Sequence, residues 1–148
     1  AELLPRLERS SYAPVADAAA KVRREELFHL RHSALWLERL AHGTDESRRR
    51  LTAALDELLP LLPGLLAPLP GDAALAAAGV YPEAAELADA VLARVGAALE
   101  AAGLARPTLE PPADAAGADR RQRPDGVLAA LLAEMQSVAR SDPQAEGW

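Results

Sequence analysis

The chain has 148 residues, half of them hydrophobic but only 3% aromatic, and carries a formal net charge of −6. That length supports one domain with a core of Leu, Val and Ala, and the acidic balance argues against nucleic-acid binding and against a polybasic membrane anchor. With no cysteine, disulfide frameworks, thiolate zinc sites and cysteine nucleophiles are excluded.

Leu and Ala are strong helix formers and β-branched residues are scarce, so helix is the expected state wherever the pattern allows it. The sequence enters a helical pattern at once, with Leu3, Leu4 and Leu7 and no capping residue before them. It therefore reads as starting inside a helix, with an N-terminal part removed or not represented. A first helical piece is expected from about Glu2 to Arg9, with a turn at Ser10, Ser11 and Pro14. A long helix follows to about His42. Gly43 stands where a left-handed C-cap belongs, and Thr44 is a good N-cap for the next helix, with Asp45 and Glu46 at its positive end.

The next helix carries Leu51, Leu55, Leu58, Leu62 and Leu65 at spacings of four and three. Pro60 and Pro63 fall inside that pattern and predict a kink or break near Leu59, before Pro68, Pro70 and Gly71 end it. The stretch from Leu58 to Pro70 is the most apolar in the chain, yet it is too short to span a bilayer and holds four prolines. No basic start followed by an apolar run marks a signal peptide, so the expectation is a soluble, cytoplasmic protein without a membrane partner. Pro82 is a natural first helical position, opening a helix through Leu87, Val91, Val95 and Leu99 to a stop at Gly103. Residues from about 104 to 126 are rich in Pro, Ala, Asp and Arg without periodicity and read as an irregular arm. A last helix is expected from Val127 to Arg140, with Leu128, Leu131, Leu132 and Met135 on one face. A polar tail runs on to Trp148, and residues 1–148 form a single domain.

The long helix carries the candidate site. Val15, Ala19, Val22, Glu26, His29, Ser33, Trp36 and Leu40 alternate by four and three, a seam of the kind that faces a bundle centre or a subunit interface. A second stripe of Leu27, Leu30, Ala34, Leu37 and Ala41 lies beside it. Glu26 and His29 form a Glu-x-x-His element, which puts a carboxylate and an imidazole on one helical face and is the unit that two-iron carboxylate bundles use. Such a centre needs a second element and two further carboxylates. His32 and His42 lack a glutamate three residues upstream, so Glu26 and His29 are candidate metal ligands only as half a site. A buried histidine hydrogen-bonded to a neighbour is the structural reading of the same residues. Arg48, Arg49 and Arg50 read as a solvated face or an anion contact, and Arg120, Arg121 and Arg123 as a charged loop able to reach an acidic partner or a phosphate. No Ser/His/Asp grouping or phosphate-binding glycine loop is present.

Two stretches carry a resemblance. From Arg24 to Leu66, the residues Phe28, His29, Leu30, Arg31, Ser33, Trp36, Arg39, Leu40, Gly43, Thr44 and Ser47 are similar to a segment of the phenylacetyl-CoA oxygenase structural subunits. Near the other end, Leu132, Ala133, Glu134, Met135, Gln136 and Trp148 resemble that family's terminal helix and closing tryptophan, while the middle from Ala67 to Gly126 is only loosely similar. The resemblance implies an all-α, ferritin-like up-down bundle, here without its N-terminal helices. It also implies a non-catalytic subunit that stabilises a homologous di-iron catalytic subunit in a complex that epoxidises the ring of phenylacetyl-CoA. Electrons would come from a reductase partner, and the iron would sit in the catalytic subunit, so no cofactor is expected in this chain.

Two departures from the family stand out. Pro124-Asp125-Gly126-Val127 replaces a His-Thr-x-His run, and Glu26 occupies a position expected to be non-acidic. The alternatives are a di-iron enzyme whose remaining ligands lie in an absent N-terminal region, and a helical interaction protein without an oxygenase role. Unburied apolar faces also predict self-association.

Overall fold

The computed structural model describes residues 1–105, 108 and 126–141, and these are helices joined by turns, with no strand among them. The architecture is the expected all-α bundle. The arm expected between 104 and 126, the arginines Arg120, Arg121 and Arg123, and Trp148 lie almost wholly outside the described residues.

Helix α1 (Leu3–Leu7) packs on the first half of α2 (Ala13–His42), a helix of 30 residues. Pro14 sits in the first turn of α2, where its missing N–H breaks no helical hydrogen bond. α2 turns into α3 (Asp45–Leu58) at a tight corner. Thr44 caps α3 as expected, its hydroxyl accepting from the Ser47 N–H at 3.1 Å, while the Ser47 hydroxyl donates back to the Leu40 carbonyl at 3.0 Å. Gly43 corrects the sequence reading. It is not left-handed (φ −77°, ψ −125°), and glycine is required for a different reason. A Cβ there would lie 2.8 Å from both the Arg39 carbonyl oxygen and Ser47 Oγ.

The kink expected near Leu59 is present: α3 passes into a 3₁₀ turn, Leu59–Leu61, and then into α4 (Leu62–Leu66). Pro60 and Pro63 each open one of these short segments, where a proline breaks no helical bond. A short helix that the sequence reading did not anticipate, α5 (Asp72–Ala77), follows left-handed Gly71, and the Asp72 carboxylate accepts from the Leu69 N–H at 2.8 Å. The chain then docks on the start of α2. Ser10 Oγ donates to the Val80 carbonyl at 2.8 Å, and Ser11 Oγ donates to that of Ala78 at 2.7 Å.

Helix α6 (Ala84–Ala101) thus begins beside the start of α2. Its N-cap residue is Glu83, so Pro82 lies just outside the helix and not at its first position. Left-handed Gly103 stops it, as expected, beside the end of α2. There the Arg48 guanidinium donates to the Ala41 carbonyl at 3.0 Å and to the Gly103 carbonyl at 2.9 Å. One cation therefore serves the carbonyl-rich ends of two helices, where positive charge is favoured. The last expected helix is two pieces, α7 (Val127–Met135) and α8 (Ser137–Ser141), divided at Gln136.

The core of the described residues is small. The buried hydrophobic side chains are Ala19, Ala41, Ala67, Ala88, Leu99 and Ala102, with Gly96 of α6 also buried. Leu99 is the one large side chain among them. α2 presents to this core a line formed by Ala19, Glu26, Leu30, Leu37, Leu40 and Ala41, all buried or half-buried. The expected seam is therefore corrected within this chain. Of its members, Ala19 is buried and Val15, Glu26 and Leu40 are half-buried, whereas Val22, His29, Ser33 and Trp36 are exposed. The inward line borrows from both predicted stripes and is rotated by about one residue from the seam.

Ion pairs tie α1 to α6. Arg94 donates to one oxygen of Glu2 at 2.6 Å and Arg6 to the other at 3.1 Å, while Arg6 also reaches Glu86 at 3.4 Å. The hydrogen bond from Arg94 holds the Glu2 carboxyl below its ordinary value of 4.5; partial burial opposes this and the Arg6 bond adds to it. A carboxylate with a depressed folded-state pKa contributes stability that is present above its unfolded value and is lost as pH falls through the folded one. Glu2→Gln is therefore expected to cost about 1 kcal/mol at pH 7, the scale of a partly exposed ion pair, and less at a second, acidic pH below the folded-state value. Urea midpoints at the two pH values check this; an equal loss at both would show that the charge is not the cause.

Candidate functional site

The site built by the sequence is the outer side of α2, where periodicity sets exposed apolar and aromatic groups among charges. Phe28 is 73% exposed, Val22 48% and Trp36 45%, with Leu27 and Leu35 also open. Trp36 is held from both neighbouring turns. The His32 ring meets it edge-on, with centroids 6.2 Å apart and planes at 67°, and the Arg39 guanidinium lies 5.7 Å from its centroid. These are i, i+4 and i, i+3 contacts on one helix face, and they fix a His-Trp-Arg ladder pointing outward. A second open stripe, Leu58, Leu61 and Leu65, runs from the end of α3 across the 3₁₀ turn into α4.

The two candidate ligands differ in their surroundings. Glu26 is half-buried beneath α1, 4.0 Å from the Ala1 nitrogen, while His29 is exposed on the outer face. A two-iron centre requires several carboxylates and imidazoles converging on one point. Among the described residues no three His, Cys, Asp or Glu side chains do so. The described residues therefore do not assemble the ligand set of such a centre.

The arginine run is also resolved into separate tasks. Arg49 and Arg50 both pair with Glu46 within α3, at 2.8 and 2.7 Å, and the Arg49 bond is the larger cause holding the Glu46 carboxyl below its ordinary value. Arg48 points to the carbonyls at the corner. The expected anion contact thus finds its cations already engaged by this chain's own groups. Sequence reasoning missed the Arg48 clamp and the Glu2–Arg94 tie. Helix-end carbonyls give no sequence signal, and the partners of the tie stand 92 positions apart. Among the described residues no helix is long and apolar enough to cross a membrane.

Comparison with known proteins fits this picture. A stretch of 56 residues is 41% identical to one of the subunits of the 1,2-phenylacetyl-CoA epoxidase of Escherichia coli (strain K12). It covers 38% of this chain and 23% of that protein, so the match spans less than a quarter of the relative's length. A family model described as Phenylacetic acid catabolic protein matches residues 1–148. With the whole chain matched and the all-α bundle in place, this chain belongs to the Phenylacetic acid catabolic protein family.

Proposed function

We propose that this chain is a structural, non-catalytic subunit of a phenylacetyl-CoA ring-epoxidising oxygenase in phenylacetate degradation. Its role there is to stabilise a homologous di-iron catalytic subunit that receives electrons from a reductase. The observation that carries the reading is the pairing of a family match over residues 1–148 with apolar side chains left open on α2 and along the stretch from the end of α3 into α4. Exposed apolar stripes of this length mark surfaces made to be covered, which suits a subunit better than an isolated catalyst. The relative's name supports the assembly. The place of action on this reading is the cytoplasm.

The Glu26-x-x-His29 element favours one other reading, a di-iron enzyme completed by ligands from further sequence. Metal analysis separates the two. The purified chain is expected to hold no stoichiometric iron alone, and the complex formed with a co-expressed catalytic subunit is expected to hold about two irons per catalytic subunit. Glu26→Ala or His29→Ala should leave that iron content unchanged. Stoichiometric iron in this chain alone, lost in either variant, would overturn the structural-subunit reading.

A further inference from the structure

Six exposed residues of α2 lie at offsets of 3, 4 and 7 to either side of the exposed His32, which places all seven on one face of the helix. Read outward from His32, the two arms are chemically complementary. Phe28 mirrors Trp36, His29 mirrors Leu35, and Glu25 mirrors Arg39. Neither Glu25 nor Arg39 has an ion-pair partner among the described residues, although the chain pairs Glu2, Glu8 and Glu46 internally. Arg39 is nevertheless held in a defined position over Trp36.

We propose that this face docks a second copy of the same chain. The two α2 helices pack antiparallel about a twofold axis at His32, with Glu25 of each copy beside Arg39 of the other. A twofold contact must be self-complementary, so that residue i meets j and j meets i, and this face meets that condition in charge. A parallel pairing fails, because it sets Glu25 on Glu25 and Arg39 on Arg39. The antiparallel pairing covers Phe28 with Trp36, two aromatic side chains of the kind that anchor interfaces. It leaves the Leu58, Leu61 and Leu65 stripe open for a different subunit, so it does not rest on the oxygenase reading. One helix-on-helix contact is smaller than the roughly 1,600 Å² of a standard interface, and the dimer is expected to dissociate in about the micromolar range.

Charge exchange tests the register. By sedimentation velocity, the chain should pass from monomer to dimer between about 1 and 200 μM, the range a small interface requires. Glu25→Arg alone sets arginine against Arg39 twice, and Arg39→Glu alone sets glutamate against Glu25 twice. Each should weaken dimerisation about tenfold or more, since like charges face each other across the contact. Circular dichroism should show unchanged helix content, because both positions are exposed. An equimolar mixture of the two variants restores both pairs and should dimerise within about threefold of the original chain. A chain that stays monomeric throughout, single variants that dimerise like the original, or a mixture that remains monomeric would each overturn the proposal. The first of these would mean that a different protein or segment covers the face. Co-purification with a catalytic subunit is a separate readout, so failure of either proposal is distinguishable from failure of the other.

Discussion

Replacing Leu99 by alanine is expected to lower the stability of the chain by about 3 kcal/mol, the usual cost of emptying a leucine site in a core. Leu99 is 3% exposed, and the other buried hydrophobic side chains are alanines. No second large buried side chain among the described residues is present to share the loss. For a chain of about this size, that deficit lowers the melting midpoint by about 10 °C. Phe28→Ala is the control. Phe28 is a larger side chain, but at 73% exposure its removal should change the monomer's stability by less than about 0.5 kcal/mol. Thermal unfolding followed by circular dichroism at sub-micromolar concentration reads both. If Phe28→Ala proved as costly as Leu99→Ala, the assignment of inner and outer faces would be wrong.

The second large effect is expected at the corner. Gly43→Ala introduces a Cβ 2.8 Å from the Arg39 carbonyl oxygen, a backbone atom that cannot rotate away, and 2.8 Å from Ser47 Oγ, whose displacement breaks its bond to Leu40. Overpacking of this kind costs about 1–3 kcal/mol. The two explanations for this glycine differ in what a second substitution does. If only Ser47 Oγ were in the way, Ser47→Ala would rescue Gly43→Ala almost fully. Because the Arg39 carbonyl also blocks the site, the double variant is expected to stay at least about 1 kcal/mol below Ser47→Ala alone. Urea midpoints of the four proteins measure the coupling.

The elements legible in the sequence were those written in periodicity and punctuation. Thr44 followed by two acids marked the start of α3, Pro60 marked the 3₁₀ turn, and Gly103 marked the stop of α6. What failed has physical causes. α2 carries two adjacent apolar stripes, so its periodicity fixes that it is a helix but leaves the inward direction open by about one residue. That ambiguity is why Val22, His29 and Trp36, expected on a core or subunit-interface seam, are exposed within this chain. α5 is six residues long, too short for periodicity to register. A glycine after a helix signals either a left-handed turn or a close approach, and at Gly43 only the geometry of Arg39 and Ser47 decides between them. For the site, the sequence supplied the Glu26-x-x-His29 spacing. The Ala1 nitrogen lies 4.0 Å from Glu26 while His29 is exposed, and no local pattern encodes that difference.

The corner at Thr44 also bears on the order of events when the chain is extended. The Ser47 hydroxyl bond to Leu40 closes a loop of seven residues, whereas the Arg94 bond to Glu2 closes one of 92. Closing a flexible loop costs entropy that grows as 1.5 RT times the logarithm of its length, so the longer closure is less favourable by about 2 kcal/mol. The α2–α3 corner is thus easier to close in an unfolded chain than the tie between α1 and α6.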